Sequence, residues 1–226
     1  MVKINLGSGF VGLDGWLNYD NSVVARLSKV PGLIPLCVKI GILPAGYLSI
    51  RWPPIILHDC RKGIPLDSDS VDYVYSSHFM EHLYRHEVFA LLKECHRVLK
   101  PSGRIRVVLP DLDSLIALYQ KRDLTAFSET PPSDTVKPTY ADMFVANFFP
   151  FEMNTAEKPS LRQRSQELFL RRHKWMYNEE SFGNMLTNTG FKAVKRKAFR
   201  DSEQEDVRRI DAHEEVSFYL EAEPDK

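Results

Sequence analysis

Two groups of residues have the types and spacing to do chemistry. The first is Gly7-Ser8-Gly9, directly behind the apolar run VKINL, with Asp20 eleven positions beyond Gly9 and the pair Asp59-Cys60 further on. Glycine lets the backbone approach a bound group closely. A carboxylate offers two acceptor oxygens to the two hydroxyls of a ribose. With Gly12 the stretch spells G-x-G-x-x-G, the pattern of a dinucleotide cradle. Such a cradle needs a helix opening inside the motif and a ribose carboxylate about 20 residues on. Here Asp14-Gly15-Trp16 follows at once, and Asp20 comes too early. The spacing argues against a nicotinamide or flavin site and leaves Gly12 serving the loop. It suits a compact adenosine-type group with a small charged tail, and Asp59 is placed to meet an exocyclic amine.

The second group is His78-Phe-Met-Glu81-His82, which reads H-x-x-E-H. This formally matches an inverted zinc-peptidase signature, and on a helix residues 78, 81 and 82 would share a face. A metal-dependent hydrolase using His78, Glu81 and His82 is therefore one alternative. The competing role for Glu81 and His82 is structural, bonding neighbouring loops, and on that reading no metal is assigned. His78 is the first candidate for a general base, since histidine titrates near neutrality; the alternative is a residue that starts and caps the next helix. His173, close to Trp175 and Tyr177, is the second candidate, against a surface or structural role. Tyr140, Phe144, Phe148, Phe149 and Phe151 could line an acceptor pocket or simply form core.

Strands and helices must bring these groups together. Strand-like runs are VKINL (2–6), WLNYD (16–20), PIILHD (54–59), VDYVYSS (71–77) and GRIRVVLP (103–110). Between the last two, Val88, Leu91, Leu92, Cys95, Val98 and Leu99 recur at helical spacing. Pro101 is expected to end that helix and Gly103 to turn the chain. LDSLIALYQKR and EESFGNMLTNTGF read as further helices, and FKAVKRKAF and EEVSFYLEAE as an antiparallel pair. This alternation predicts an α/β domain with a mainly parallel sheet. Ligands in such sheets bind beyond the carboxyl ends of the strands. Gly7, Gly9, Asp20, Asp59, Ser76, Ser77, His78 and Asp111 should then share one rim.

Composition bounds the partners. The 226 residues carry a net charge of zero and 43% hydrophobic residues, which suits a single domain spanning 1–226. Residues 21–53 and 123–172 read as insertions, the second a helical cap. Balanced charge gives no case for nucleic acid. Three scattered cysteines, Cys37, Cys60 and Cys95, suggest neither a disulfide framework nor a zinc cluster. The N-terminus enters a strand directly, without a signal peptide, so a cytoplasmic location is the expectation. Residues 30–57 are apolar, but Pro31, Pro35, Pro44, Pro53 and Pro54 would break any spanning helix. No transmembrane segment is expected; the stretch suits a lid or an oligomer contact ahead of a membrane-surface patch, and gives a motive for a homodimer or a lipid-linked substrate.

Taken together, Asn5-Leu-Gly-Ser-Gly9, Asp20, His58-Asp59-Cys60, VDYVYSSHFMEHL, LLKECHRVLKPSGRIRVVLPDL and EESF…LTNTGF resemble class I S-adenosylmethionine-dependent methyltransferases. Within them the chain is similar to the type-11 group, and to small bacterial proteins with a shortened first crossover. The resemblance implies a Rossmann-like seven-stranded sheet in the order 3-2-1-4-5-7-6, its last strand antiparallel, flanked by helices. It implies S-adenosyl-L-methionine as cofactor, with Gly7, Ser8 and Gly9 at the methionine part, Asp20 at the ribose, and Asn5 and Leu6 also among the cofactor-binding residues. Asp59 and Cys60 would lie by the adenine, and Ser76 and Ser77 would form the floor near the sulfonium. The implied activity is methyl transfer to a small-molecule or glycan-like acceptor. Asn5 stands where many relatives carry an acid, and the helix after the first strand is missing or very short. Those departures support an alternative: a non-catalytic binding protein that keeps the fold.

Overall fold

A computed structural model describes residues 1–123, 139–146, 173–214 and 216–226. Its sheet has the strands β1 (Lys3–Leu6), β2 (Leu17–Asp20), β3 (Ile55–Leu57), β4 (Val71–Ser77), β5 (Leu99–Pro110), β6 (Phe191–Lys197) and β7 (Ser217–Pro224). Their order is β3-β2-β1-β4-β5-β7-β6. β1, β2, β3, β4 and β5 run parallel, and β7 is antiparallel to both β5 and β6. The expected order and the reversed last strand both hold.

One face is covered by α3 (Arg85–Val98) and α6 (Glu179–Asn188); α4 (Leu112–Lys121) and α5 (Tyr140–Ala146) come between them in the chain. α3 buries Val88, Leu91, Leu92, Cys95 and Val98, and α6 buries Phe182, Met185 and Leu186, all in the main core. α3 ends at Val98, and β5 begins at once at Leu99, four residues before the expected start. Pro101 keeps the residue before it out of the helical region. The pairing with β4 jumps here from Val71–Leu99 to Tyr73–Arg104, so residues 100–103 make an irregularity within the strand instead of ending it. Gly103 sits in close contact there, since a Cβ on it would lie 2.8 Å from Leu99 Cδ2.

The opposite face is built differently. Parallel neighbours usually need a dozen or more residues of crossover, mostly a helix. Here β1 and β2 are joined by residues 7–16 with no helix. Trp16 plugs the space, edge-on to Tyr73 and Tyr75 at 6.0 and 6.3 Å between ring centroids. Its indole N–H donates to Asp206 at 3.0 Å. Val207 and Ile210 of α7 (Val207–Ile210) complete this second core. Beneath it, Arg106 is fully buried; its guanidinium meets Asp211 at 2.6 Å and Glu221 at 3.1 Å. The hydroxyls of Tyr75 and Tyr73 donate to those same two carboxylates.

Residues 21–53 form the connection from β2 to β3. α1 (Val23–Ser28) and α2 (Leu33–Lys39) are short, and Val24, Ile34, Cys37 and Leu43 give the segment a core of its own. That accounts for its apolar composition. Among the described residues no helix is long and apolar enough to cross a membrane. Most of the 123–172 segment, including Phe148, Phe149 and Phe151, lies outside the described residues.

Because one indole replaces a helix, its truncation should be costly. Trp16→Ala is expected to lose about 3–5 kcal/mol of unfolding free energy, measured by urea denaturation; a loss under 1 kcal/mol would contradict this packing role.

Candidate functional site

The rim at the carboxyl ends of the parallel strands holds a cleft of about 370 Å³. Gly7, Tyr19, Asp20, His58, Asp59, Cys60, Phe79, His82 and Lys174 are among its lining residues. A second cavity, of about 190 Å³, lies on the other side of Gly7 and is lined by Asn5, Ser8, Gly9, Ser77, His78 and His213 among others. The expected residues therefore divide. Asp20, Asp59 and Cys60 meet in the larger space, and Asn5, Ser8, Gly9, Ser77 and His78 in the smaller. The Leu6 side chain is buried behind them, and Ser76 spends its hydroxyl on the Leu6 carbonyl at 3.3 Å.

Asp20 organises the glycine turn. Its Oδ2 accepts the Gly9 N–H at 2.8 Å and its Oδ1 the Ser22 N–H at 2.6 Å. The Gly7 and Ser8 N–H groups both donate to the Tyr19 carbonyl, at 2.9 and 3.0 Å. Gly7 and Gly9 have φ of +70° and +51°, in the left-handed region that glycine enters without steric cost. They differ in surroundings: a Cβ on Gly7 would lie 2.2 Å from the Phe79 ring, whereas one on Gly9 would meet nothing within 4 Å. Gly9 faces open space, as the cradle of a ligand requires.

The third glycine serves packing. A Cβ on Gly12 would fall 2.6 Å from Asn18 Oδ1 and 2.9 Å from Pro53 Cβ. Asn18 is fully buried and its amide donates to the carbonyls of Leu13, Trp16 and Pro54. Asn5 does similar work, donating to the Val11 carbonyl at 2.8 Å. These two asparagines hold the abbreviated crossover in place of a helix.

Asp59 is engaged by Arg61, whose Nε and a terminal nitrogen each lie 2.8 Å from a different carboxylate oxygen. That fork holds the Asp59 carboxyl below its usual pKa. An exocyclic amine would have to share this carboxylate with Arg61. Burial, reinforced by Asp59 and Asp20, pushes the Cys60 thiol up to about 12, so it is not a nucleophile at neutral pH.

His78 does not start or cap the next helix. It sits in a left-handed conformation, φ +47°, at the end of β4, and α3 is capped at Tyr84 and Glu87 instead. Its Nε2 lies 2.9 Å from the Ser217 hydroxyl and its ring 4.0 Å from that of His213. Burial, then the His213, His173 and His82 rings, lower its pKa to about 3. That makes it a poor general base at neutral pH. The helical face expected for H-x-x-E-H is also missing, since residues 80–82 make a single tight turn. The Glu81 carbonyl accepts the N–H groups of Lys174 and Trp175 at 2.7 and 3.2 Å, which brings His173 beside His82 at 5.0 Å between rings. Burial alone pushes the Glu81 carboxyl up to about 8.

His213 and Lys174 had no local sequence signal. His213 reaches the rim because β7 runs antiparallel, so the residues preceding it return to the end where β4 and β5 finish. His58, which bonds the Gly63 carbonyl at 2.8 Å, and Arg61 were legible as neighbours of Asp59.

Residues 45–107 match the family model described as a methyltransferase domain. No curated protein matches the chain. Among solved structures, the chain is similar to an S-adenosylmethionine-dependent methyltransferase from Thermotoga maritima, described as a possible histamine N-methyltransferase. The TM-score is 0.51 at 14% identity, covering 100% of this chain and 82% of that one. It is also similar to an S-adenosylmethionine-dependent methyltransferase from Archaeoglobus fulgidus, with TM-score 0.50, 18% identity and coverage of 98% and 85%. The matched segment is that of a methyltransferase domain, and the sheet order is that of the Rossmann-like methyltransferase fold.

Two outcomes follow from the rim. Gly7→Ala should destabilise the fold by about 2–5 kcal/mol, through strain and collision with Phe79. Gly9→Ala should cost only about 1–2 kcal/mol. Equal losses on chemical denaturation would refute the distinction.

The two shifted groups also act on stability with opposite signs. Glu81, raised from 4.5 to about 8, contributes stability that is present below pH 4.5 and lost as pH rises through 8. His78, lowered from 6.5 to about 3, contributes stability that is present above pH 6.5 and lost as pH falls toward 3. Unfolding free energies across pH 3.5–8.5 should therefore lose their alkaline decline in Glu81→Gln and part of their acid decline in His78→Gln.

Proposed function

We propose that the chain transfers a methyl group from S-adenosylmethionine to a small-molecule or glycan-like acceptor. The observation that carries this reading is Asp20, a buried carboxylate at the end of β2, clamped by the Gly9 and Ser22 N–H groups and bordering the larger cleft. One oxygen holds the Gly9 N–H and the other the Ser22 N–H, and two carboxylate oxygens are the acceptors that the two hydroxyls of a ribose require. The open face of Gly9 suits the cofactor's amino-acid tail. On this reading the adenosine lies with Asp20, Asp59 and Cys60, and the tail lies toward Gly9 and Ser77.

When bound, the cofactor supplies an electrophilic methyl on a sulfonium. The protein's contribution is chiefly to align an acceptor atom behind that methyl, since orientation alone is worth several kcal/mol. Ser77, His78 and His213 would form the acceptor wall. His78, held by the Ser217 hydroxyl through Nε2, shapes that wall.

A second reading is favoured by the Phe79 ring seated on Gly7: the protein binds the cofactor without transferring its methyl. Calorimetry with S-adenosylhomocysteine separates the cases. The wild type should bind one equivalent, and Asp20→Ala should weaken binding at least about tenfold. No binding by the wild type, or unchanged binding by the variant, would exclude both readings. Binding without methyl transfer across a broad acceptor screen would select the second.

A further inference from the structure

Beside the cofactor cleft, three groups have the chemistry of a metal site. Glu81 is 1% exposed, and neither carboxylate oxygen has a hydrogen-bond partner. Leaving a carboxylate buried in this way is costly, and proteins resolve it by pairing the group or by coordinating a cation. Two imidazoles stand next to it. One nitrogen each from His82 and His173 and one oxygen from Glu81 all lie within 4.8 Å of one another, and Glu81 Oε1 is 3.8 Å from His82 Nε2. Ligand bonds of about 2.0–2.2 Å hold neighbouring donors roughly 3–4 Å apart, so small rotations of the rings complete the set.

We propose that Glu81, His82 and His173 bind one divalent first-row transition ion, of the zinc, cobalt or manganese class, in the wall of the cleft. Two imidazoles and one carboxylate suit that class rather than calcium, which takes six or more oxygens. Three protein ligands leave coordination positions open, the arrangement of a working rather than a purely structural ion. His82 and Lys174 both border the cleft, so an open position facing that way would take water.

The partners around the site fit. Glu81 is fixed through its carbonyl, which accepts the Lys174 and Trp175 N–H groups and so ties the 173–175 segment to the 80–82 turn. His78 Nδ1 stands 3.6 Å from Glu81 Oε1, while its Nε2 bonds Ser217; it flanks the set without belonging to it. The site thus differs from the H-x-x-E-H reading, in which His78 was a ligand and His173 was not.

The test uses the full chain stripped with chelator and titrated with cobalt(II), followed by visible absorption and by calorimetry. One equivalent should bind with the d–d bands of a low-symmetry site and raise the melting temperature by mass action. His82→Ala and His173→Ala should each weaken binding at least tenfold, whereas His86→Ala, on the surface of α3, should bind as the wild type does. Glu81→Gln should do the same as the histidine variants; if it does not fold, the two histidine variants decide. No stoichiometric binding, or binding unaltered in both histidine variants, overturns the proposal. S-adenosylhomocysteine titration of the metal-free protein reports on the cofactor cleft separately, so either idea can fail alone.

Discussion

Ten residues must carry the chain from the end of β1 back to the start of β2, its parallel neighbour, and that shortage shapes the whole cofactor side of the molecule. A helix does not fit, so its tasks pass to individual side chains. Asn5 and Asn18 satisfy the loop's carbonyls, Trp16 fills the space a helix would have covered, and Asp20 fixes the turn by accepting the Gly9 N–H. Buried amides are costly unless fully paired. The two asparagines are tolerated because their bonds are the loop's scaffold.

The same face of the sheet is locked by charge. Arg106 on β5 meets Asp211 before β7 and Glu221 within it, with two tyrosines donating to the carboxylates. Such a network adds little net stability over an apolar core, but losing one partner strands a buried charge. Its geometric effect is the more useful one here. It pins the 198–211 segment under the sheet through the carbonyls of Ala198 and Asp201, and so delivers Ala212 and His213 to the rim.

Much of this was legible in the sequence because it depends on periodicity and strand ends. The helical spacing of Val88 to Val98 and the alternation in the last strands define elements without tertiary knowledge. Asp20 and the Gly7-Ser8-Gly9 turn follow from the rule that ligands gather where parallel strands end. What escaped depends on contacts between distant segments. The Arg61 fork on Asp59 is a rotamer choice that spacing does not reveal. The weak basicity of His78 arises from burial against rings contributed by residues 82, 173 and 213. His173 joins Glu81 only because the backbone after residue 172 bonds the Glu81 carbonyl. The strand start at Leu99 was missed because Pro101 and Gly103 carry a turn signal, which here produces an irregularity in the β4–β5 register without ending the strand.

The two margins of the sheet have a bearing on how copies of the protein meet. β6, at one margin, carries Lys192, Lys195, Arg196 and Lys197. β3, at the other, has only three residues and follows Pro53-Pro54. Lysine-rich or very short outer strands resist the ladder pairing that lets one chain template another. End-to-end polymerisation through the backbone is therefore disfavoured at both margins, and any self-association is left to side-chain surfaces such as the exposed Leu36, Ile40 and Leu48.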